Sequence, residues 1–198
     1  MNEYLTRLGV PEALQAWFDC REKAEFDYGG VKEIFTDELY KVPTTANLWL
    51  AGNRSASEVV ITYSAMEAIA FLTLHADHYP RPDALSFIAT GNLPTMGQLL
   101  WIRRQFKKRK FTLVFGSGLL GTLTDIKVAA GLKGHRTRIV LLDDQVRIQM
   151  RAHSCFLPVQ QISLYAFEKA AGLRTGIRTR KPNADGNFLD QLRNGCAT

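Results

Sequence analysis

The sequence places a glycine-rich turn, FGSGLLG, at Phe115–Gly121, directly after the apolar run 111–114. A G-x-G-x-x-G turn between a strand and a helix is typical of phosphate binding, because the helix N-terminus and the backbone amides favour an anion. Gly116 would permit the tight turn, Gly118 would let a pyrophosphate approach, and Gly121 would let the helix pack on the strand. The phosphate-binding candidates are therefore Gly116, Ser117 and Gly118, and a nucleotide- or dinucleotide-binding enzyme is one hypothesis.

The position of this turn in the chain argues against a dinucleotide site. The motif normally follows the first strand of its sheet, but here at least two strand–helix units precede it and one clear strand follows. The chain after Asp144 is too short for the second half of a dinucleotide fold and a substrate domain. A mononucleotide site and a purely structural strand–helix turn remain as alternatives.

Strands and helices alternate through residues 58–144. The predicted strands are EVVITYS, ALSFIATGN, KFTLVF and RTRIVLLDD, and the intervening helices are AMEAIAFLTLHAD, TMGQLLWIRRQFKK and LLGTLTDIKVAAGLKG. This alternation predicts an α/β fold with a parallel sheet covered on both faces. Ligands bind such sheets at the carboxyl ends of the strands, which marks residues 62–66, 90–95 and 115–121.

The flanking segments have weaker patterns. Residues 1–57 are predicted to form an α+β segment, helical over 2–28 and then with short strands. Residues 145–198 are predicted to form a C-terminal extension with one further strand, a helix and a basic, turn-rich tail. Within that tail, residues 188–193 form either a short docked turn or a motif that folds on a partner. We expect the three segments to make one compact unit.

The order and local motifs of residues 58–144 resemble the Toprim domain of primases, topoisomerases and related nucleases. In that family a strand ends in a glutamate, which is followed by a small residue and then by an acid–alanine pair that opens a helix. The corresponding stretch here is ITYSAMEAIA, in which Ser64, Glu67 and Ala68 fit the pattern. Tyr63 stands in the place of the glutamate.

The second family motif is a D-x-D-x-x-G turn whose carboxylates hold magnesium. It corresponds here to FGSGLLG, in which Gly121 fits the last glycine and Gly116 and Gly118 occupy both aspartate positions. Glycine supplies no ligand for Mg²⁺, and a tyrosine with a pKa near 10 cannot replace a carboxylate. The resemblance therefore implies a catalytically degenerate Toprim-like domain with no cofactor and no Mg²⁺ at the usual position. The nearby acids are Glu67, expected to be exposed or to complement a helix dipole, and Asp125.

Two basic clusters are candidates for nucleic-acid binding. The first lies in WIRRQFKKRK and consists of Arg103, Arg104, Lys107, Lys108, Arg109 and Lys110. The second lies in the tail and consists of Arg174, Arg178, Arg180 and Lys181. They would contact a phosphate backbone, although a solvated helix end with lysines near its C-terminus is the structural alternative.

Composition limits the class of protein. The chain has 198 residues, a net charge of +6 and 46% hydrophobic residues, which suits one folded domain with an anionic partner. Its cysteines, Cys20, Cys155 and Cys196, form neither a C-x-x-C pair nor a disulfide framework. Glu3 and Glu12 argue against a signal peptide, so a cytoplasmic protein without a membrane segment is expected.

The preferred hypothesis from the sequence is a non-catalytic Toprim-like protein that binds nucleic acid or a protein partner. The mixed segment before residue 58 looks like those that precede Toprim domains in primase-like proteins of mobile elements. This likeness suggests a role in DNA replication or mobilisation of such an element. The nucleotide-binding enzyme remains the alternative, with a small-molecule nucleotide as its ligand.

Overall fold

The computed structural model of the chain describes residues 1–151, 153–183 and 186–195, so Cys196 lies outside the described residues. The helices are α1 (Glu3–Arg7), α2 (Glu12–Trp17), α3 (Ala65–Leu74), α4 (Met96–Gln105), α5 (Leu119–Leu132), α6 (Leu164–Ala171) and α7 (Phe188–Gly195). The strands are β1 (Ala24–Asp27), β2 (Lys32–Phe35), β3 (Tyr40–Lys41), β4 (Trp49–Gly52), β5 (Glu58–Thr62), β6 (Leu85–Ala89), β7 (Lys110–Val114), β8 (Thr137–Leu142), β9 (Gln145–Met150), β10 (His153–Pro158) and β11 (Arg178–Arg180).

The main sheet has five strands in the order β11-β7-β5-β6-β4. Strands β11, β7, β5 and β6 run parallel, and β4 pairs with β6 in the antiparallel direction. The central strands are almost continuously apolar because both of their faces are covered. The predicted α/β architecture is confirmed at this level.

The two faces of the main sheet bury separate hydrophobic cores. Val60 and Val114 pack against the N-terminal segment, α3 and α7. Val59, Ile61 and Leu113 point to the opposite face and pack against α4, α5, α6 and the second sheet. This division follows from the two-residue period of a strand, which sends successive side chains to opposite faces.

Residues 137–142 do not form a fourth parallel strand, so that prediction is wrong. They form β8 of a separate antiparallel sheet with the order β10-β9-β8. The chain reverses at Asp143, which has a positive φ of 33°, and a two-residue hairpin can only join antiparallel strands. The place beside β7 is taken by β11, which comes from the predicted tail.

The helical prediction for residues 2–28 holds only for its first part. Helices α1 and α2 end at Arg7 and Trp17, and residues 24–27 form β1 of an antiparallel β1-β2-β3 sheet. Ala24 and Phe26 are buried, whereas Asp27 is exposed, and this two-residue period is that of a strand. Residues 188–195 are docked on the protein, but they form an α-helix and not the short turn of the first alternative.

None of the described helices combines the length and the apolar character needed to cross a membrane.

The side chain of Gln98 connects the start of α4 to three loop carbonyls. It is 2% exposed, and its Nε2 donates to the carbonyl oxygens of Asn47 at 2.6 Å, Thr90 at 2.8 Å and Thr45 at 3.3 Å. Its Oε1 accepts a hydrogen bond from the Thr95 amide, which completes the predicted N-cap as a capping box. Gln98 therefore fixes the start of α4 against the loop that precedes β4 and the loop that follows β6.

We expect Gln98→Leu to lower the free energy of unfolding by about 2 kcal/mol, because buried carbonyls and one amide would lose their partners. Urea denaturation followed by circular dichroism measures the change. Gln105→Leu, at the exposed end of the same helix, is the matched control and should change stability little. Equal losses in the two variants would contradict the role given to Gln98.

Candidate functional site at the carboxyl edge of the main sheet

The carboxyl ends of β5 and β7 bring the two predicted motifs together. Thr62 pairs with Val114 as the last residue pair of these neighbouring strands. Tyr63 and Ser64 therefore leave the sheet beside Phe115 and Gly116. This edge is where open α/β sheets bind ligands, and it was marked in advance from the sequence.

The glycines of the turn serve close packing. A Cβ on Gly121 would lie on top of the Gly116 carbonyl oxygen, and one on Gly116 would come within 2.8 Å of the Gly186 carbonyl oxygen. Gly118 is the N-cap of α5 with a φ of −67°, and a Cβ there would meet open space. Two of the three glycines are thus required by backbone contacts within the chain.

The side chain of Lys181 lies in the turn. Its Nζ donates to the carbonyl oxygens of Gly116 at 2.8 Å and Phe115 at 3.3 Å. It also forms an ion pair with Oδ2 of Asp125 at 2.6 Å, and the Asp125 side chain is only 2% exposed. Burial raises the pKa of Asp125 to about 6, and the Lys181 ammonium opposes that shift. A charged group of the protein itself therefore occupies the space beside the predicted anion turn.

Ser117, one of the three phosphate-binding candidates of the turn, is bound by the same C-terminal segment. The Ser117 amide donates to the Gly186 carbonyl oxygen at 2.8 Å. The Ser117 hydroxyl accepts from the Gly186 amide at 3.0 Å. Lys181 and Gly186 thus lie at the edge that a nucleotide phosphate would need to approach.

Side chains satisfy the amides at the N-terminus of α3. The Ser64 hydroxyl accepts a hydrogen bond from the Glu67 amide at 3.0 Å. The carboxylate of Glu33, from β2, accepts from the amides of Ala65 at 2.7 Å and Met66 at 2.9 Å. The first turn of a helix leaves such amides without intrahelical partners, and here a buried carboxylate and an N-cap serine bind them.

Glu67 repeats this arrangement for α7. Its carboxylate oxygens accept hydrogen bonds from the amides of Phe188 at 2.8 Å and Leu189 at 3.1 Å. Glu67 is fully buried, so the expectation of an exposed acid is wrong. The other expectation was an acid that complements a helix dipole. Glu67 lies in the first turn of α3, and its carboxylate also binds the N-terminus of a second helix, α7.

Both glutamates have perturbed acidity. Burial raises the pKa of Glu33 and that of Glu67 from 4.5 to about 7, although the hydrogen bonds from the amides act in the opposite direction. Burial and the nearby Glu67 carboxylate also raise the pKa of Tyr63. The carboxylates of Glu33 and Glu67 are held by backbone amides, which suits a structural role more than proton transfer to a ligand.

The structure adds residues to this edge that the sequence analysis missed. Tyr40 donates a hydrogen bond to the Ser64 hydroxyl at 2.7 Å, and Tyr28 donates to Glu33 at 2.7 Å. Glu33 has the same strand parity as Phe35, and an acid on the apolar face of a strand is a detectable signal. The position of Tyr40 depends on the β2–β3 turn, and no pattern in the sequence indicates it.

No group of three or more histidine, cysteine, aspartate or glutamate side chains suited to a metal ion occurs among the described residues. At this edge Glu33 and Glu67 are bound by amides and Asp125 by Lys181, and Asp190 of α7 accepts a hydrogen bond from the Asn187 amide.

The first basic cluster lies at the opposite end of the sheet. Arg103 and Arg104 are in the last turn of α4, which ends at Gln105. The remaining members lie in the turn that follows and at the start of β7. All of them are exposed: Arg103, Arg104, Lys107, Lys108, Arg109 and Lys110. They are separated from Gly116 by the length of β7, roughly 16 Å at about 3.3 Å per residue.

The second basic cluster is divided. Arg178 and Arg180 lie exposed on the edge strand β11, and Arg174 is exposed before it. Arg178 and Arg180 pair with Thr112 and Val114, so they share the face of α3, away from α4. Lys181 is bound to Asp125, and we leave it out of any binding surface.

A third set of basic residues is formed by the antiparallel sheet. Arg138 lies opposite Gln149 and Arg147 opposite Val140, so these two arginines share the outer face of the hairpin. Arg136 directly precedes β8 and Arg151 directly follows β9. The sequence signal is arginine at even spacing, in HRTR and in VRIQMR. It was missed because β8 was assigned to the buried parallel sheet, in which outward arginines have no place.

No protein-family model matches the chain, and neither a curated protein nor a solved structure was found to match it. The Toprim-like interpretation therefore stays a prediction that rests on the two local motifs and on the order of the elements.

We expect Gly121→Ala to destabilise the fold by roughly 1–3 kcal/mol, because the new methyl group overlaps the Gly116 carbonyl. The helix propensity gained from alanine, about 1 kcal/mol, offsets only part of this cost. Thermal and urea unfolding measure the loss. Gly118→Ser, in open space and at an N-cap, is the control and should be neutral or slightly stabilising; a loss as large as that of Gly121→Ala would contradict the packing role.

Stability should fall as the pH rises from about 4.5 to about 7, because the raised pKa of Glu67 lets the folded state hold a proton that the unfolded chain releases. Relative to Glu67→Gln, the wild type should gain on the order of 1–3 kcal/mol between pH 8 and pH 5. Urea denaturation at constant ionic strength measures this difference.

Glu22→Gln, an exposed substitution, is the control for the pH series and should show no such difference. If the advantage of Glu67 over glutamine instead grows with pH, the amide hydrogen bonds outweigh burial, and the direction of the pKa shift is wrong.

Proposed function

We propose that this chain is a nucleic-acid-binding protein without phosphoryl-transfer activity, in which a Toprim-like sheet is kept as a scaffold. Its setting would be DNA replication or mobilisation of a mobile element. The proposal has two parts, the loss of catalysis at the carboxyl edge and the binding of a phosphate backbone elsewhere.

One observation carries the first part: the carboxyl edge is filled by the C-terminal segment of the same chain. Lys181 binds the carbonyls of the glycine turn, Gly186 takes the Ser117 amide, and α7 docks on Glu67. A substrate phosphate would have to displace all three interactions. An edge built in this way supports a structural role.

The chemistry of the edge supports the same conclusion. Metal-assisted phosphoryl transfer needs carboxylates that are free to hold Mg²⁺ against the phosphate. Tyr63, Gly116 and Gly118 stand where the resemblance places those carboxylates. The acids that are present bind helix amides or Lys181.

The exposed basic residues support the second part. The cluster from Arg103 to Lys110 places six cations around the end of α4 and the start of β7, and the described residues include no ion pair to any of them. Such a cluster repels itself and is stabilised by a polyanion, whose condensed counterions are released on binding. A nucleic-acid backbone fits this chemistry better than a neutral protein surface.

The alternative, a nucleotide-binding enzyme, has less support. Its phosphate would need the amides of the glycine turn, and the Ser117 amide already donates to Gly186. A thermal shift with NAD or ATP tests it directly. A clear stabilisation by either compound that is lost on Gly118→Val would favour this alternative over the proposal.

We expect wild-type protein to bind labelled DNA or RNA with an affinity that falls steeply with salt and does not depend on magnesium. Changing Arg103, Arg104, Lys107 and Lys108 to glutamine should weaken binding roughly tenfold or more at low salt and reduce the salt slope by up to about 3. Fluorescence anisotropy over a salt titration measures both values.

The matched control carries the same change in net charge at scattered exposed positions, namely Arg21, Lys23, Lys41 and Arg81 changed to glutamine. It should keep most of the affinity. Equal losses in the two quadruple variants would show that only net charge matters. No binding by wild type at low salt would overturn the proposal and favour a protein partner.

A further inference from the structure

The outer face of the antiparallel β8-β9-β10 sheet combines cations with an exposed aromatic ring. In the middle row, Phe156 lies directly opposite Arg147, which lies opposite Val140 on the other side. Phe156 is 54% exposed although phenylalanine is normally buried. The inner face of the same strands carries Val146 and Ile148 and is packed in the core.

The next row along this face is polar. Arg138, Gln149 and Ser154 lie side by side on the three strands, and all three are exposed. Beyond them, Arg136 precedes β8 and Arg151 follows β9, past the end of the paired strands. Arg136, Arg138, Gln149 and Arg151 line a shallow concavity of about 700 Å³ together with Gly134 and Thr137.

The described residues include no ion pair to any of the four arginines, and clustered like charges repel each other unless an anion lies among them. The strands β8, β9 and β10 carry no acidic residue. The nearest acids, Asp143 and Asp144, lie in the hairpin turn at the other end of the sheet. The face is therefore matched in charge to a polyanion, whereas a second copy of the chain would bring arginines against arginines.

The basic face is continuous with the cluster on α4. The guanidinium of Arg103 lies against Gly134, and Gly134 lines the same concavity as Arg136 and Arg151. A polyanion could thus run from the end of α4 across the antiparallel sheet without leaving cationic surface.

We propose that this sheet face binds single-stranded nucleic acid, with the ring of Phe156 stacking on an unpaired base and the four arginines holding the backbone on either side. A base inside a duplex does not present its face to a side chain, so stacking selects single strands. Gln149 and Ser154 supply hydrogen-bonding groups beside the stacked base. This inference rests on the proposed function and names the form of nucleic acid that it would take.

The test uses full-length protein and one labelled mixed-sequence 12-mer in three forms: single-stranded, annealed to its complement, and abasic throughout. The single strand is tested both as DNA and as RNA, because either would supply unpaired bases and a phosphate backbone. Phe156→Ala should weaken binding of the single strand roughly 5- to 150-fold, the loss expected for one stacked base. Binding of the abasic strand and of the duplex should change little.

Two further variants support the assignment. Phe156→Tyr keeps an aromatic face and should restore most of the affinity. Tyr165→Ala removes a ring that is 75% exposed on α6, outside this face, and should have no effect. Arg138→Gln and Arg147→Gln should each lower the salt slope for the single strand by about 0.7. Circular dichroism and thermal unfolding confirm that every variant is folded.

The outcomes separate this inference from the proposed function. If Phe156→Ala binds like wild type while the α4 quadruple variant does not, the sheet face is not the single-strand site and the proposed function stands. If Phe156→Ala weakens all three forms equally, stacking is excluded. If wild type binds none of the forms at low salt, both proposals fail, and a protein partner on this face is the remaining explanation.

Discussion

The hydrogen bonds between the Glu67 carboxylate and the start of α7 determine what the carboxyl edge of the main sheet can do. Glu67 lies in the first turn of α3, and its two oxygens accept the amides of Phe188 and Leu189. Once α7 is held there, the segment before it must cross the glycine turn, where Lys181 and Gly186 make their contacts. The contacts that Lys181 and Gly186 make with the glycine turn are thus tied to the docking of α7.

Two buried carboxylates each bind the N-terminus of a helix. Glu33 of β2 binds the N-terminus of α3, and Glu67 of α3 binds the N-terminus of α7. In each case a negative charge faces the positive end of a helix dipole, which compensates part of the cost of burial. In a phosphoryl-transfer site, carboxylates would hold a metal ion. Here the carboxylates of Glu33 and Glu67 fix the relative positions of helices. The exposed cations of α4 and of the antiparallel sheet lie away from these helix contacts.

Local patterns predicted much of this fold, and long-range pairing accounts for what they missed. The three strand–helix units and the Thr95 N-cap follow from periodicity and capping rules that act within a few residues. Strand β11 could not be predicted, because its three residues are all exposed and carry no apolar pattern. The role of Glu33 was hidden for a related reason, since its partners lie 32 and 33 residues away. The arginine face was hidden by the wrong sheet assignment of β8.

The position of β11 has a consequence for synthesis of the chain. The strand that completes the main sheet beside β7 is formed by residues 178–180, and Glu67 meets its partners 121 and 122 residues later. During translation the sheet therefore presents a bare edge at β7 until residues 178–180 have left the ribosome. Such an edge is open to pairing with other chains. Residues 178–180 thus protect the nascent sheet from pairing with other chains.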